Sequence, residues 1–309
     1  MRTGLSSLSS GGLPPLSVLP STDGFPLSLS GLTFYRCNMV ARDRFDFCIP
    51  SAFCSSSHRQ QDKMNHSSSE PEPGTSEPLR YLSKADASAI ETELLRDYRF
   101  GQQQLIEMWG YACAIAITKA FPLKSLSKKQ PTVLVVCGPE QSGSVGLVCA
   151  RHLRIFEYEP TIYYPKRSSH SVHQDFTVQC EKMDIPFLSY LPTEVQLIND
   201  AYNVVIDAVL GPDSDPKDVK EPYLSILVTL KQVKIPIASV DVPLGWDTEV
   251  ASKEGVEPEV LISLMAPKKC ATNFSGKHFL AGRFLPYDIQ KKYELNLPEF
   301  PEAECLIEL

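Results

Sequence analysis

Several things are scarce or missing in this chain of 309 residues, and each absence closes off a class of function. Lysine and arginine (30) are outnumbered by aspartate and glutamate (37), leaving a formal net charge of -7 and a pI near 5.5. A grip on nucleic acid needs a basic face, so that class is set aside. No apolar run approaches the roughly 18 to 20 residues that span a bilayer, so no transmembrane helix is expected. The nine cysteines include no CxxC pair, which signals neither a zinc ribbon nor a disulfide framework. Cys113, Cys137 and Cys149 sit inside apolar patterns and read as reduced, buried thiols. There is no solenoid-type repeat.

What is present falls into two parts. Before residue 80, Ser, Pro and Gly dominate, as in "GLSSLSSGGLPPLSVLPSTDG" and "SSSEPEPGTSEP". Apolar periodicity is absent there, so residues 1–79 are expected to be a largely disordered Ser/Pro-rich tail. The tail lacks the charged start and solid apolar core of a secretory signal. It is Ser-rich and poor in acids, with Arg2, Arg36 and Arg42, but shows no amphipathic arginine period. The cytoplasm is the favoured compartment, with mitochondrial import and secretion as the alternatives.

From residue 80 to 309 the text is regular and reads as one domain. Ser83 and Asp86 form a capping-box-like start to a helix carrying Ile90, Leu94 and Leu95. A second helix over 102–120 aligns Leu105, Trp109, Cys113 and Ala116 on one stripe, and Pro122 closes it. "TVLVVC" (132–137) is a short continuous apolar run, as expected of a strand buried on both faces, and a helix follows it through Arg151. "TIYY" (161–164), "PFLS" (186–189), "VVIDAV" (204–209), "IASVDV" (237–242) and "VLISLM" (260–265) read as further strands, with helices at 172–183 and 222–232. Repeated β-α units of this length predict a Rossmann-like three-layer α/β/α fold with a mostly parallel sheet.

In such sheets ligands bind beyond the carboxyl ends of the strands. Three segments lie there: the loop "GPEQSGSVGL" after the first strand, Asp207 with "AVLGPDSDPKD" behind it, and Asp241 in "SVDVPLGWD". Either acid could serve a ligand, or simply cap a helix or receive backbone N–H groups. His170 and His173 read as part of a polar Ser-rich loop without metal-ligand spacing, and His152 as an ordinary helix residue. Trp109 and Trp246 read as core or edge packing, and Lys166 and Arg167 as a basic turn.

The runs "VLVVCGP", "GLVCARHL", "YEPTIYYPKR", "CEKMDIPFLS", "PIASVDVP", "GWD" and "LISLMAPKK" together resemble the YjeF N-terminal domain, the fold of the NAD(P)HX epimerases. The resemblance extends from Tyr81 to about Pro301. It implies an enzyme that interconverts the epimers of NADH or NADPH hydrated on the nicotinamide ring. In those enzymes the first loop reads Gly-Asn-Asn-Gly-Gly-Asp-Gly, and it binds substrate and helps to hold a potassium ion. Carried onto this chain, the substrate-binding set becomes Gln141, Ser142, Gly143, Ser144, Val145, Gly211 and Asp241, and the potassium set becomes Ser142, Asp207 and Leu244. Asp207 and Asp241 are kept. The paired Asn have become Gln141 and Ser142, one Gly has become Ser144, the Asp has become Val145, and the Ser that gives potassium an oxygen has become Leu244.

Val145 cannot move a proton, and Leu244 offers a hard cation no oxygen. Asp213 and Asp215 stand where a pyrophosphate would approach, with Lys217 as partial compensation. The expectation is therefore a vestigial site with no confident catalytic residue and no cofactor. The chain reads as a non-catalytic paralogue, a pseudoenzyme that acts as a binding or regulatory protein. The resemblance implies apolipoprotein A-I as partner, with cholesterol efflux to high-density lipoprotein, lipid transport and angiogenesis as its setting, and a homodimer as its assembly. An active potassium-dependent epimerase acting on NAD(P)HX is the alternative. A scaffold like the YjeF-type domains of mRNA-decapping enhancers is a third.

Overall fold

The computed structural model describes residues 77–309. The expected disordered tail lies almost entirely outside those residues.

Two helices come first. In α1 (Lys84–Arg96), the Ser83 hydroxyl accepts from Asp86 N while the Asp86 carboxylate accepts from Ser83 N, so the expected capping box is formed. Its apolar face is Ala87, Ile90 and Leu94, all buried. Helix α2 (Gln102–Ala120) has the bounds its periodicity predicts and ends at Phe121 before Pro122. A β/α alternation follows: β1 (Thr132–Cys137), α3 (Gln141–Ile155), β2 (Glu159–Tyr163), α4 (Ser171–Lys182), β3 (Phe187–Leu188), α5 (Val195–Ala201), β4 (Val204–Ala208), α6 (Tyr223–Leu230), β5 (Ile237–Val240), β6 (Val260–Leu264), β7 (Lys277–Ala281), α7 (Tyr287–Lys292) and β8 (Ile307–Glu308).

The eight strands form one sheet in the order β3-β2-β1-β4-β5-β6-β7-β8. All neighbours pair in parallel except β7 and β8, which are antiparallel. Successive side chains leave a strand on opposite faces, which divides the core in two. Val133, Val135 and Cys137 of β1, with Val204 and Ile206 of β4, pack against α1 to α4 and α7. Leu134, Val136 and Val205 point the other way, against Ile198 of α5 and Ile226 and Leu230 of α6. Both faces are covered, so β4, β5 and β6 are buried along their whole length and mostly apolar, with Asp207, Ser239 and Ser263 as their buried polar residues. The architecture is the expected Rossmann-like three-layer α/β/α sandwich.

The chain builds outward from β1 through β2 to β3, then returns to lay β4 on the other flank of β1. The strand order therefore reverses between β1 and β4. Their loops diverge at that point and leave a crevice above the carboxyl ends.

Candidate functional site at the strand-order reversal

Strand β1 delivers the first loop into this crevice. Gly138 N donates to Ala208 O at 3.0 Å, tying the ends of β1 and β4 together. Helix α3 then starts so close to the loop that a Cβ on Gly143 would lie 1.8 Å from Gly138 O, a position only glycine can fill. One turn on, a Cβ on Gly146 would meet the Ala208 methyl at 2.6 Å, so α3 rests directly on β4. Glu140 is the N-cap of α3 and makes no side-chain capping bond.

Above these loops is a cavity of ≈ 380 Å³. Its floor is Glu140, Gln141 and Ser142 of the first loop and helix, and its wall is Gly211, Pro212, Asp213 and Ser214 of the β4 loop. Glu91 of α1, Gln102 of α2 and His173 of α4 complete it. The two loops approach closely, since a Cβ on Gly211 would sit 2.6 Å from Ser142 Oγ. Gln141 is held by both leading helices: Gln102 Nε2 donates to Gln141 Oε1 at 3.1 Å, and Gln141 Nε2 donates to Glu91 Oε1 at 2.7 Å. Burial raises the Glu91 pKa, the bond from Gln141 works against the rise, and the Asp213 charge adds to it.

His173 sits on α4, not in a loop, and is buried. Its Nδ1 lies 3.0 Å from Ser168 Oγ, and its Nε2 is buried without a hydrogen-bond partner. Burial lowers its pKa, as does His170 beside it, while the Pro139 carbonyl and the Glu140 carboxylate favour the charged ring. Among the described residues no lysine or arginine lines the cavity. Lys84 of α1 braces the wall: its Nζ donates to the Asp213 carbonyl at 2.6 Å.

Asp207 and Asp241 lie beneath the loops, each 1% exposed, and neither lines the cavity. Asp207 Oδ2 accepts from Ser239 Oγ and from Leu244 N, both at 2.8 Å, and Oδ1 accepts from Val209 N at 3.3 Å. Burial pushes its pKa up, and these neutral donors offset part of that. Asp241 takes the left-handed backbone conformation, φ 61°. Its Oδ1 accepts from Leu264 N at 2.9 Å and from Lys268 Nζ at 2.6 Å. Lys268 is fully buried and also donates to the Leu264 and Ala266 carbonyls at 2.8 and 3.2 Å. Burial raises the Asp241 pKa, and the Lys268 ammonium pulls it back.

The residues singled out in the sequence separate into two groups. Gln141, Ser142, Gly211 and Asp213 meet at the cavity. Gly143, Ser144 and Val145 face inward instead: Ser144 is fully buried with its Oγ unpartnered, and Val145 belongs to the core cluster that includes α2. Leu244 reaches Asp207 through its backbone N–H, and its side chain packs in the opposite core. Asp215 caps a short turn by accepting from Lys217 N at 2.9 Å and does not face the cavity. Sequence reading did not single out Glu91, Gln102 or Lys268. A signal existed for Glu91: it is four residues after Ala87 and next to Ile90, on the inward stripe of α1.

A potassium ion does not fit this arrangement. Both Asp207 oxygens are committed to donors within the protein, Leu244 supplies apolar atoms, and Ser142 faces Gly211 and the cavity. A dinucleotide pyrophosphate does not fit the cavity wall either, where Glu91, Glu140 and Asp213 are the charged groups.

Residues 102–270 match the family described as "YjeF-related protein N-terminus". The zebrafish (Danio rerio) protein YjeF N-terminal domain-containing 3 is 81% identical over 246 residues, 80% of this chain and 100% of that protein. The human (Homo sapiens) YjeF N-terminal domain-containing protein 3 is 61% identical over 230 residues, 74% of this chain and 77% of that protein. The crystal structure of yeast ynu0, YNL200c, superimposes with a TM-score of 0.70 at 32% identity, covering 75% of this chain and 100% of that one. On fold and sequence together, the chain belongs to the family of YjeF-related N-terminal domains.

Proposed function

We propose that this chain is a binding or regulatory protein on an epimerase fold, without NAD(P)HX turnover. One observation carries the reading: at the strand-order reversal the ligand-facing charges are Glu91, Glu140 and Asp213, opposite in sign to what a pyrophosphate needs. The inward placement of Val145 and Leu244 supports it, because proton transfer and cation binding both lose their groups. Resemblance to the epimerase family supplies the partner, apolipoprotein A-I, and the setting of cholesterol efflux to high-density lipoprotein and of angiogenesis. It also supplies a homodimer as the assembly.

The test is incubation of the full chain with R-NADHX, with and without potassium. The expected result is epimerisation no faster than the spontaneous rate, and a rate clearly above it overturns the proposal. Retention of Asp207 and Asp241 favours the second reading, a working potassium-dependent epimerase, and the same assay decides between the two. Capture of purified apolipoprotein A-I by the chain tests the named partner, and light scattering tests the dimer.

A further inference from the structure

Helix α6 differs from the other surface helices. Its sequence, YLSILVTL, holds no charged residue, whereas α1 and α4 each carry both acids and bases. A helix apolar all round is normally covered all round. Ile226 and Leu230 turn inward and are buried against the sheet. Leu224 and Val228, one turn apart, face outward and are 47% and 54% exposed. Leu197 of α5, in the same layer, is 53% exposed. Lys234 N donates to Asn199 Oδ1 at 2.9 Å and ties the segment after α6 to α5.

Exposed apolar side chains taken singly are ordinary. Here the polar groups around them are already bonded within the same surface. Ser225 Oγ donates to Glu221 Oε2 at 2.6 Å, Thr229 Oγ1 to the Ser225 carbonyl at 2.9 Å, and Gln232 Nε2 to the Val228 carbonyl at 3.1 Å. Lys231 Nζ donates to the Glu254 carbonyl at 3.0 Å. Covering the stripe therefore buries apolar atoms without stranding these donors. The two ends of the stripe carry opposite charge, Glu221 just before the helix and Lys231 at its C-cap, both exposed. Glu221, Leu224, Val228 and Lys231 follow one another at spacings of three, four and three, which is symmetric about Ile226.

That symmetry selects the occupant. In an isologous contact, residue i of one subunit meets residue j of the other, and j meets i. We infer that α6 is the two-fold contact through which two copies of this chain pair, an inference that rests on the homodimer named above as the assembly. Two α6 helices laid antiparallel across an axis at Ile226 set Leu224 against Val228 of the partner subunit, twice. The same register sets Glu221 beside Lys231 of the partner subunit, whereas a parallel pairing opposes like charges. The apolar pair at the centre supplies attraction, and the ion pairs at the rim fix the register. A helix of this length spans roughly 12 Å. The contact is small beside the roughly 800 Å² per partner of a standard interface, so the dimer exchanges reversibly with monomer.

The test is sedimentation velocity of the full chain over a concentration series up to about 100 µM, with thermal unfolding to establish that each variant is folded. The parent is expected to pass from monomer to dimer. Val228→Asp brings two carboxylates to the centre of the contact and is expected to weaken the dimer at least tenfold. Glu221→Lys and Lys231→Glu each set like charges across it and are expected to weaken it several-fold, and the double exchange is expected to recover the parent's behaviour. Ile155→Asp, exposed on α3 in the opposite helical layer, is the control and is expected to dimerise as the parent does. A dimer indifferent to Val228→Asp or to the charge exchange overturns the inference and leaves the homodimer standing, as does equal weakening in the control. A monomer throughout overturns both, and loss of apolipoprotein A-I capture in Val228→Asp then assigns the face to that partner. None of these outcomes touches the absence of turnover, which falls only to accelerated epimerisation of R-NADHX.

Discussion

Asp207 and Asp241 end neighbouring strands, are equally buried, and are answered in opposite ways. Asp207 meets only neutral donors, the Ser239 hydroxyl and the N–H groups of Leu244 and Val209. Asp241 meets a cation, Lys268, which is as deeply buried as itself. The first arrangement gives the carboxyl no countercharge and ties β5 and the segments after β4 and β5 together by its oxygens. The second cancels the charge and fixes β5 to the segment after β6. Each acid thus acts as an internal bracket, one neutral-answered and one ion-paired. His278 belongs with the first kind: a buried base on β7, 2.9 Å from the neutral Ser263 hydroxyl, with its pKa lowered to about 4 by burial.

The largest effect is expected from Lys268→Met, which strands Asp241 without its cation. Breaking a buried ion pair in this way costs about 3–5 kcal/mol. In thermal unfolding that is a drop of roughly 10 °C for a domain of this size. Adding Asp241→Asn to the same variant is expected to recover part of the loss. If the single variant unfolds like the parent, the pair is not a bracket.

Next comes acidification acting on His278. The folded pKa is depressed from 6.5 to about 4, so the unfolded chain binds the proton first. Stability contributed by the neutral ring is present above pH 6.5 and is lost as pH falls through 4, by roughly 3 kcal/mol in all. Urea denaturation across that range is expected to show the slope in the parent and a flatter one in His278→Asn.

Asp207→Asn is expected to cost less, about 1–3 kcal/mol at neutral pH, because it replaces an acceptor with an N–H group facing donors. Its native pKa is raised, so the parent is most stable with this carboxyl protonated and loses that increment as pH rises through the native value. The deficit of the variant therefore grows on acidification toward 3.8. A cost equal to that of Lys268→Met would erase the distinction between the two acids. The smallest effect is expected from Gln141→Ala, near 1 kcal/mol, which removes the two side-chain bonds to Gln102 and Glu91.

The sheet was legible where strands are continuous apolar runs. β1, β4, β5 and β6 are found within two residues of their runs, and α2 at the bounds given by its stripe. α5 has seven residues, too few to show a period, and β8 has two, held in place by pairing with β7. β7 begins with Lys277 and His278, and the ladder it makes with β6 places it. These elements depend on distant partners, and no local window carries their signal.

The site shows the same limit. Its loops were found from the strand ends, and Gln141, Ser142, Gly211 and Asp213 do converge on the cavity. Burial of His173 depends on a fold that brings α4 beside the first loop, and polar neighbours such as Ser168 to Ser171 read as a solvated turn. Ser144 and Val145 sit in the first turns of α3, where the helix period turns them away from the crevice.

The glycines beneath the cavity have a consequence of their own. Gly143 is confined by the Gly138 carbonyl and Gly146 by the Ala208 methyl, contacts internal to the α3–sheet junction. The curve of the loop is therefore set by its neighbours in the chain and needs no guest to hold it. Positions between the glycines can change chemistry while the loop keeps its path. A familiar glycine spacing on this fold thus reports how a helix is seated, and the identity of any visitor must be read from the side chains around it.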